Sequence, residues 1–359
     1  MEPLKYMFNK EFVQSLSLRI EKFYPEFDKK NFLKDIFNKN WDQLELKARM
    51  HHISDILFKH LPDDYKSSIE ILLKVAPSVE KGGFQYMIFP DFVEKFGQND
   101  WKISIDALSE FTKIASSEFA IRPFIISDPK RMVKILLKWS KHKNVHIRRL
   151  SSEGIRPRLP WAISLEKFKQ DPSDIIPILE NLKSDSELYV KKSVANNLND
   201  ISKDHPDLVL SICKKWIGKN ENTDWIIKHG LRTLLKKGNK SALKLFGQDQ
   251  MKNLKLGKVH LLKRKIKIGE ELPFNFKIHL QTLKITKVRI EYKIYFFKKN
   301  GTYTSKVFKI SEKNLKEDCL INKKHSFKQL STRTHYAGIH YISIILNGNE
   351  GTKEIFTII

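Results

Sequence analysis

The sequence predicts an all-α repeat region followed by an all-β domain. Three observations predict this: apolar residues recur every three or four positions up to about residue 247, a degenerate unit repeats within that region, and the apolar period becomes two after residues 256–258. Spacing of three and four places apolar side chains on one face of a helix, whereas alternation places them on one face of a strand. We therefore expect two domains, residues 1–250 and residues 259–359.

Short segments rich in Pro, Asp and Gly divide the helical region. They lie at residues 61–64, 127–129, 171–173, 204–207 and 237–239. Asp and Pro favour helix starts and Gly favours helix ends, so each segment predicts a turn between two helices. We expect antiparallel helices of about 12 to 18 residues.

A degenerate repeat underlies the helical pattern. Residues 145–153 align with residues 189–196 and then with residues 225–232, and the copies share apolar, basic and small residues in that order. The spacing of roughly 35 to 45 residues is typical of two-helix HEAT units, which stack into a solenoid. Since the bases recur at one place in each unit, we expect a basic stripe along one face of a HEAT-like repeat solenoid.

The C-terminal region has the pattern of strands joined by tight turns. Apolar residues alternate with more polar ones through residues 288–296, and Asn300-Gly301 and Asn347-Gly348 are strong hairpin signals. About seven strands without a helical pattern favour an immunoglobulin-like β-sandwich.

The charge balance favours a polyanionic partner. The chain has 66 Lys and Arg against 41 Asp and Glu, a formal net charge of +25, which speeds encounter with nucleic acid. No apolar run approaches the length of a transmembrane helix, and no signal peptide is visible, so we expect a cytoplasmic protein without membrane association. Cys213 and Cys319 stand without metal-ligand neighbours and no Gly-rich phosphate loop occurs, so we expect no metal and no cofactor.

One segment, residues 148–161, concentrates unusual side chains. Four arginines surround Glu153, and the segment ends on Trp161. A surface ion-pair network is one interpretation, because Glu153 lies four residues after Arg149 and three before Arg156. The other interpretation is a site for phosphates with an aromatic group between them. Glu118 occupies the corresponding place in the preceding repeat, so we expect the two carboxylates to lie close together.

Several blocks, taken in order, resemble the HEAT-repeat alkylpurine DNA glycosylases, and within them the AlkC branch. The blocks are residues 48–53 (ARMHHI), 83–94 (GFQYMIFPDFVE), 116–124 (SSEFAIRPF), 148–161 (RRLSSEGIRPRLPW), 193–200 (SVANNLND), 227–234 (IKHGLRTL), 306–309 (KVFK), 325–327 (HSF) and 332–340 (TRTHYAGIH). The resemblance implies a monofunctional glycosylase that removes cationic methylated bases, such as 3-methyladenine and 3-methylcytosine, from duplex DNA. It also implies that Glu118 and Glu153 are the active-site acids and that Trp161 lies beside the lesion.

The basic stripe and the sandwich supply the residues that we expect to contact DNA. They are Arg122, Arg148, Arg149, Arg156, Arg158, Lys191, Lys192, Lys228, Arg232, Arg333 and His335. A groove that wraps double-stranded DNA needs no partner subunit, so we expect a monomer.

Two alternatives stay open at this stage. In the sibling AlkD branch an aspartate four residues after a tryptophan does the catalytic work; here Ile105 stands four after Trp101, which leaves Asp106 as a fallback. The chain could also be a non-catalytic HEAT-repeat scaffold that binds nucleic acid, because helical repeats serve many roles.

Overall fold

The computed structural model describes residues 3–248, 251–329 and 334–359. The chain forms two compact units: Met1–Val209 with Lys215–Gly230, and Leu210–Lys214 with Leu231–Ile359. The domain limits at residues 250 and 259 remain a prediction.

A succession of helices fills the described chain up to residue 245. They are α1 (Lys10–Phe23), α2 (Lys29–Ile36), α3 (Leu46–His60), α4 (Tyr65–Val75), α5 (Ile88–Phe96), α6 (Trp101–Phe111), α7 (Arg122–Ser127), α8 (Pro129–Trp139), α9 (Val145–Glu153), α10 (Glu166–Gln170), α11 (Ile176–Leu182), α12 (Leu188–Ile201), α13 (Pro206–Trp216), α14 (Glu221–Gly230), α15 (Arg232–Lys236) and α16 (Lys240–Leu245). The predicted helical-repeat region is thereby confirmed. No described helix is long and apolar enough to cross a membrane.

The predicted turns coincide with helix boundaries because their polar residues cap the helices that follow. The side chain of Asp64 accepts hydrogen bonds from two backbone N–H groups at the start of α4, Asp128 caps α8, and Asn239 caps α16. The predicted helix length was too large, since α3, the longest described helix, has 15 residues and α10 has 5. The helices are shorter because further prolines and short turns interrupt them at more places than the predicted turns.

The C-terminal region is a two-sheet β-sandwich. Its strands are β1 (Leu254–Leu256), β2 (His260–Leu261), β3 (Lys265–Ile266), β4 (Glu271–Leu280), β5 (Thr286–Phe297), β6 (Tyr303–Leu315), β7 (Cys319–Ser326), β8 (Gly338–Leu346) and β9 (Asn349–Ile358). In one sheet β4 pairs with β1, β2 and β7, and the other sheet has the order β3-β9-β8-β5-β6. The alternating apolar residues of β4 and β5 fill the space between the sheets, as the period of two predicts.

Both predicted hairpin turns are present. Residues 298–302 join β5 to β6, and Asn347 and Gly348 join β8 to β9 with φ of 46° and 78°. Two successive positive φ angles are what a type I′ turn requires, which explains the Asn-Gly pair.

Candidate active site

A cleft of about 480 Å³ opens in the helical unit and brings together all three predicted catalytic residues, Glu118, Glu153 and Trp161. Its walls are Gly82, Gly83, Phe84, Met87, Thr112, Ile114, Ala115, Ser116, Glu118, Phe119, His146, Arg149, Glu153, Arg156, Leu159, Pro160, Trp161 and Tyr189. The predicted proximity of the carboxylates from two successive repeats is thus observed, while their roles remain a proposal.

Helix α9 places two of the charged residues on one face of the cleft. Asn144 caps the helix by accepting a hydrogen bond from the His146 N–H at 2.9 Å. Arg149 and Glu153 stand four residues apart and therefore point to the same side. Gly154 follows directly, and a Cβ at this position would lie 2.7 Å from Ile121 Cγ2, so glycine permits the close packing of this helix end.

The guanidinium of Arg149 bridges the two carboxylates. Its Nη1 pairs with Glu118 Oε2, and its Nη2 lies 3.4 Å from Glu153 Oε1. The Ser116 hydroxyl donates to Glu118 Oε2 at 2.8 Å. Tyr189 covers the other side, with its ring centroid 4.8 Å from the Arg149 guanidinium carbon. The site therefore holds both carboxylates in fixed positions before any ligand binds.

A second guanidinium connects Glu153 to a carboxylate of the next repeat. Arg156 Nη1 lies 2.7 Å from Glu153 Oε1, and Arg156 Nη2 lies 2.9 Å from Asp200 Oδ2. Burial raises the pKa of Glu153, but the charges of Arg149 and Arg156 outweigh it, so the pKa lies below its usual value. Glu153 is therefore a carboxylate at neutral pH. The ion pairs expected from a surface network are present, but they are largely buried beside the cleft.

Sequence reasoning missed Asp200 and Tyr189 as parts of this cluster. Both lie on α12, and Asp200 is 2% exposed with both Arg156 and Lys203 as ion-pair partners. The signal in the sequence that could have found Asp200 and Tyr189 is that both lie in the repeat after the one that contains Glu153. That signal alone does not distinguish a buried partner from a residue that faces solvent.

Trp161 stands at the rim in an unusual conformation. Its side chain is 66% exposed, and its φ of 64° lies in the left-handed region that bulky residues rarely adopt. The Nζ of Lys47 donates a hydrogen bond to the Trp161 carbonyl at 3.1 Å. Backbone strain of this kind concentrates at functional sites. Because the side chain is exposed at the cleft, the indole is accessible to a ligand.

The structure corrects the expectation that Arg122 contacts DNA. Its side chain is fully buried, and it donates to the carbonyls of Ile163, Gly154 and Arg156 at 2.7, 2.9 and 3.0 Å. Burial lowers its pKa to about 10. Arg122 therefore shapes the segment that carries Trp161 and cannot reach a phosphate.

The structure also corrects the expectation for His335. It is 5% exposed and packs against the rings of Phe296 and Phe327 inside the sandwich. Its polarity and its position before a strand suggested a surface contact. The surrounding phenylalanine rings instead place it in the core of the second unit.

The other residues predicted to contact DNA differ in their exposure and in their ion-pair partners. Arg149 and Arg156 are held in the ion pairs of the cleft, and Arg156 is buried. Arg148 pairs with Asp185, Arg158 pairs with Asp204, and Lys191 donates to Asn222. Lys192 and Lys228 are exposed, Arg232 belongs to the second compact unit, and Arg333 lies outside the described residues.

Asp106, the fallback acid, is exposed and lines a different cleft with Trp101 and Trp139. Among the described residues, no group of three or more His, Cys, Asp or Glu side chains could hold a metal ion.

Both domains of this chain are similar to known proteins. The family model for DNA alkylation repair enzymes matches residues 102–234, and the model for the C-terminal Ig-like domain of the uncharacterised protein YhaZ matches residues 255–359. The uncharacterized protein YhaZ of Bacillus subtilis (strain 168) is 47% identical over 350 residues, which cover 97% of each chain. The alkylpurine DNA glycosylase AlkC of Pseudomonas fluorescens, solved bound to DNA containing an abasic site analog, is 36% identical with a TM-score of 0.96 over 100% of both chains.

The chain belongs to the AlkC branch of the alkylpurine DNA glycosylases. This confirms the resemblance drawn from the sequence blocks, and the match to an Ig-like domain confirms the predicted class of sandwich. The cleft thus lies in a DNA alkylation repair enzyme. Residues 116–161 of the cleft fall within the segment that the repair-enzyme model matches.

Proposed function

We propose that this protein is a monofunctional DNA glycosylase that hydrolyses the N-glycosidic bond of cationic alkylated bases, such as 3-methyladenine and 3-methylcytosine, in duplex DNA. One observation carries the proposal: Glu118, Glu153 and the exposed indole of Trp161 converge on a single cleft. The AlkC relative was solved with DNA containing an abasic site analog, which supports DNA as the partner.

The chemistry of the substrate explains why two carboxylates suffice. A base alkylated on a ring nitrogen already carries positive charge, so it leaves as a neutral molecule and needs no general acid. Positive charge then grows on the deoxyribose, and a carboxylate nearby stabilises that oxocarbenium-like transition state and orients water for attack. The lowered pKa of Glu153 keeps this group ionised for that role. The indole face of Trp161 offers a surface for a cationic base.

The same unit provides exposed cations for the phosphates. Lys192 on α12 and Lys228 on α14 are exposed, and they lie on successive repeats. One chain supplies both carboxylates and the indole, so we propose that the enzyme acts as a monomer, in the cytoplasm at the nucleoid. Carboxylates within a basic surface fit this function, because phosphates require cations and the reacting sugar requires an anion.

The proposal is tested by incubating the purified full chain with methylated duplex DNA and separating the released bases by chromatography. We expect release of 3-methyladenine and 3-methylcytosine. Glu118→Gln should slow single-turnover release by about 10²- to 10³-fold, because glutamine keeps the shape of the side chain and removes its charge. Asp106→Asn is the matched control and should release bases at the parental rate.

Two outcomes would contradict the proposal. Parental rates in both Glu118→Gln and Glu153→Gln would remove the two-carboxylate mechanism. Absence of any release by the parent protein, together with tight binding to DNA, would favour the alternative of a non-catalytic scaffold.

A further inference from the structure

We propose that Lys47 is a positioning residue that fixes Trp161 at the rim of the cleft. The inference rests on the proposed function, since it assigns Lys47 a part in presenting the indole to the substrate. Lys47 lies in the first turn of α3, outside residues 102–234, which the repair-enzyme family model matches. A residue far away in the sequence thus enters the site.

The ammonium group of Lys47 contacts both walls of the cleft. Its Nζ donates to the Trp161 carbonyl at 3.1 Å and lies 5.0 Å from the centroid of the Phe119 ring. A cation at that distance from an aromatic ring is attracted to its face. Phe119 directly follows Glu118, so one side chain links the backbone that carries the indole to the wall that carries a carboxylate.

Trp161 needs such a contact because neither packing nor backbone preference holds it. Its side chain is 66% exposed and its φ is 64°, so an uncommon conformation has little burial to stabilise it. The flanking positions are anchored separately: Leu159 is 5% exposed, and the Ile163 carbonyl accepts from Arg122. Lys47 reaches the peptide between these anchors.

The competing interpretation is that Lys47 binds a DNA phosphate, as exposed lysines near a cleft often do. Its side chain is half-buried, and its Nζ is already engaged by a carbonyl and a ring. If Lys47 binds a phosphate, its replacement changes the salt dependence of DNA binding. If Lys47 only positions Trp161, its replacement leaves that salt dependence unchanged. The two interpretations therefore predict different measurements.

The first test follows the indole directly. The chain has six tryptophans, so the full protein labelled with 5-fluorotryptophan gives a small set of ¹⁹F signals, of which Trp161→Phe identifies one. Lys47→Met should shift or broaden the Trp161 signal and leave the others in place. Lys47→Arg should restore it, because arginine keeps the charge and a donor. An unchanged Trp161 signal in Lys47→Met overturns the proposal.

Lys59→Met is the matched control for this test. Lys59 is on the same helix, and its Nζ lies 2.7 Å from Asp35 Oδ2. Its replacement removes a cation and an ion pair without touching the cleft, so the Trp161 signal should not move. A similar change in both variants would mean that α3 is merely destabilised, which also overturns the proposal.

The second test is a double-mutant cycle on single-turnover release of 3-methyladenine. Lys47→Met should slow release about tenfold, since misplacement of a group by about 1 Å can cost up to about 10²-fold. In a Trp161→Ala background the same change should have little effect, because residues that act through one another are not additive. Equal slowing in both backgrounds, with a salt slope reduced by about 0.9, would assign Lys47 to a phosphate instead. If the parent releases no base, the proposed function fails, while the fluorine signals still decide whether Lys47 fixes Trp161.

Discussion

Each unit of the molecule holds an arginine between two carboxylates, yet the surroundings of the two networks differ. In the helical unit Arg149 joins Glu118 and Glu153, which come from successive repeats and line an open cleft. In the sandwich Arg289 pairs with two carboxylates at 2.6 Å each, Glu291 on β5 and Glu312 directly opposite on β6. The first network faces a space that a ligand can enter, whereas the second connects two neighbouring strands.

The difference shows that buried charge alone does not identify a functional site. Arg289 is 4% exposed and Glu291 is 1% exposed, so their ion pair is as well shielded as any in the cleft. A buried ion pair stabilises little by itself but is costly to break. What distinguishes the helical network is its opening into a cleft and the exposed Trp161 beside it.

The largest expected effect compares the two networks by one substitution in each. Glu153→Gln should slow single-turnover release of 3-methyladenine by about 10²- to 10³-fold, because the charge that faces the growing cation is lost. Glu312→Gln should leave the rate unchanged while lowering the free energy of unfolding, since breaking a buried pair typically costs about 3–5 kcal/mol. Chemical denaturation of both variants separates the two effects. Equal slowing in both would mean that rate follows stability and that the cleft has no special role.

A smaller effect is expected from the cations. Lys192 is exposed on α12 and has no ion-pair partner among the described residues, whereas Arg148 lies 2.7 Å from Asp185 and also donates to the His142 carbonyl. Lys192→Ala should make the plot of log affinity against log salt less steep by about 1. Arg148→Ala should lower stability and leave that slope unchanged.

Fluorescence titration of undamaged duplex across salt concentrations checks this expectation. Parent binding should fall by about 10³-fold between about 50 and 200 mM salt if six or more phosphates are contacted. A flat response would contradict a basic DNA-binding surface altogether. A changed slope in Arg148→Ala would place that residue, too, at the DNA.

The sequence predicted the elements of the fold better than the surroundings of single side chains. Apolar periods of 3.6 and two, capping residues such as Asp64 and the Asn347-Gly348 turn act locally, so helices, strands and turns could be predicted. Glu118 and Glu153 could be paired because the repeat relates their positions. The fold class and the proximity of the two glutamates therefore followed from the sequence pattern, whereas the place of Trp161 beside them was implied by the family resemblance.

What could not be predicted depends on contacts between distant residues. Arg122 and His335 look like surface bases, but carbonyl groups from a later segment surround the first and aromatic rings surround the second. Asp200 enters the cluster through Arg156, 44 residues earlier in the chain. Neither periodicity nor composition carries that information, because it depends on which side chains meet when the repeats pack.

The smallest expected effect is that of pH on the rate of base release. An isolated buried carboxyl would titrate in the pH range of the measurement, but we expect Glu153 not to. Burial alone would raise the pKa of Glu153, but the charges of Arg149 and Arg156 hold it below its usual value of 4.5. Because the pKa is lower in the folded state, Glu153 stabilises the fold above about pH 4.5, and this contribution is lost as the pH falls through the folded pKa. Single-turnover release should therefore change little between about pH 5.5 and about pH 8. A loss of rate with an apparent pKa of about 6 would contradict this prediction, because it would show that Arg149 and Arg156 do not keep the carboxylate ionised across that range.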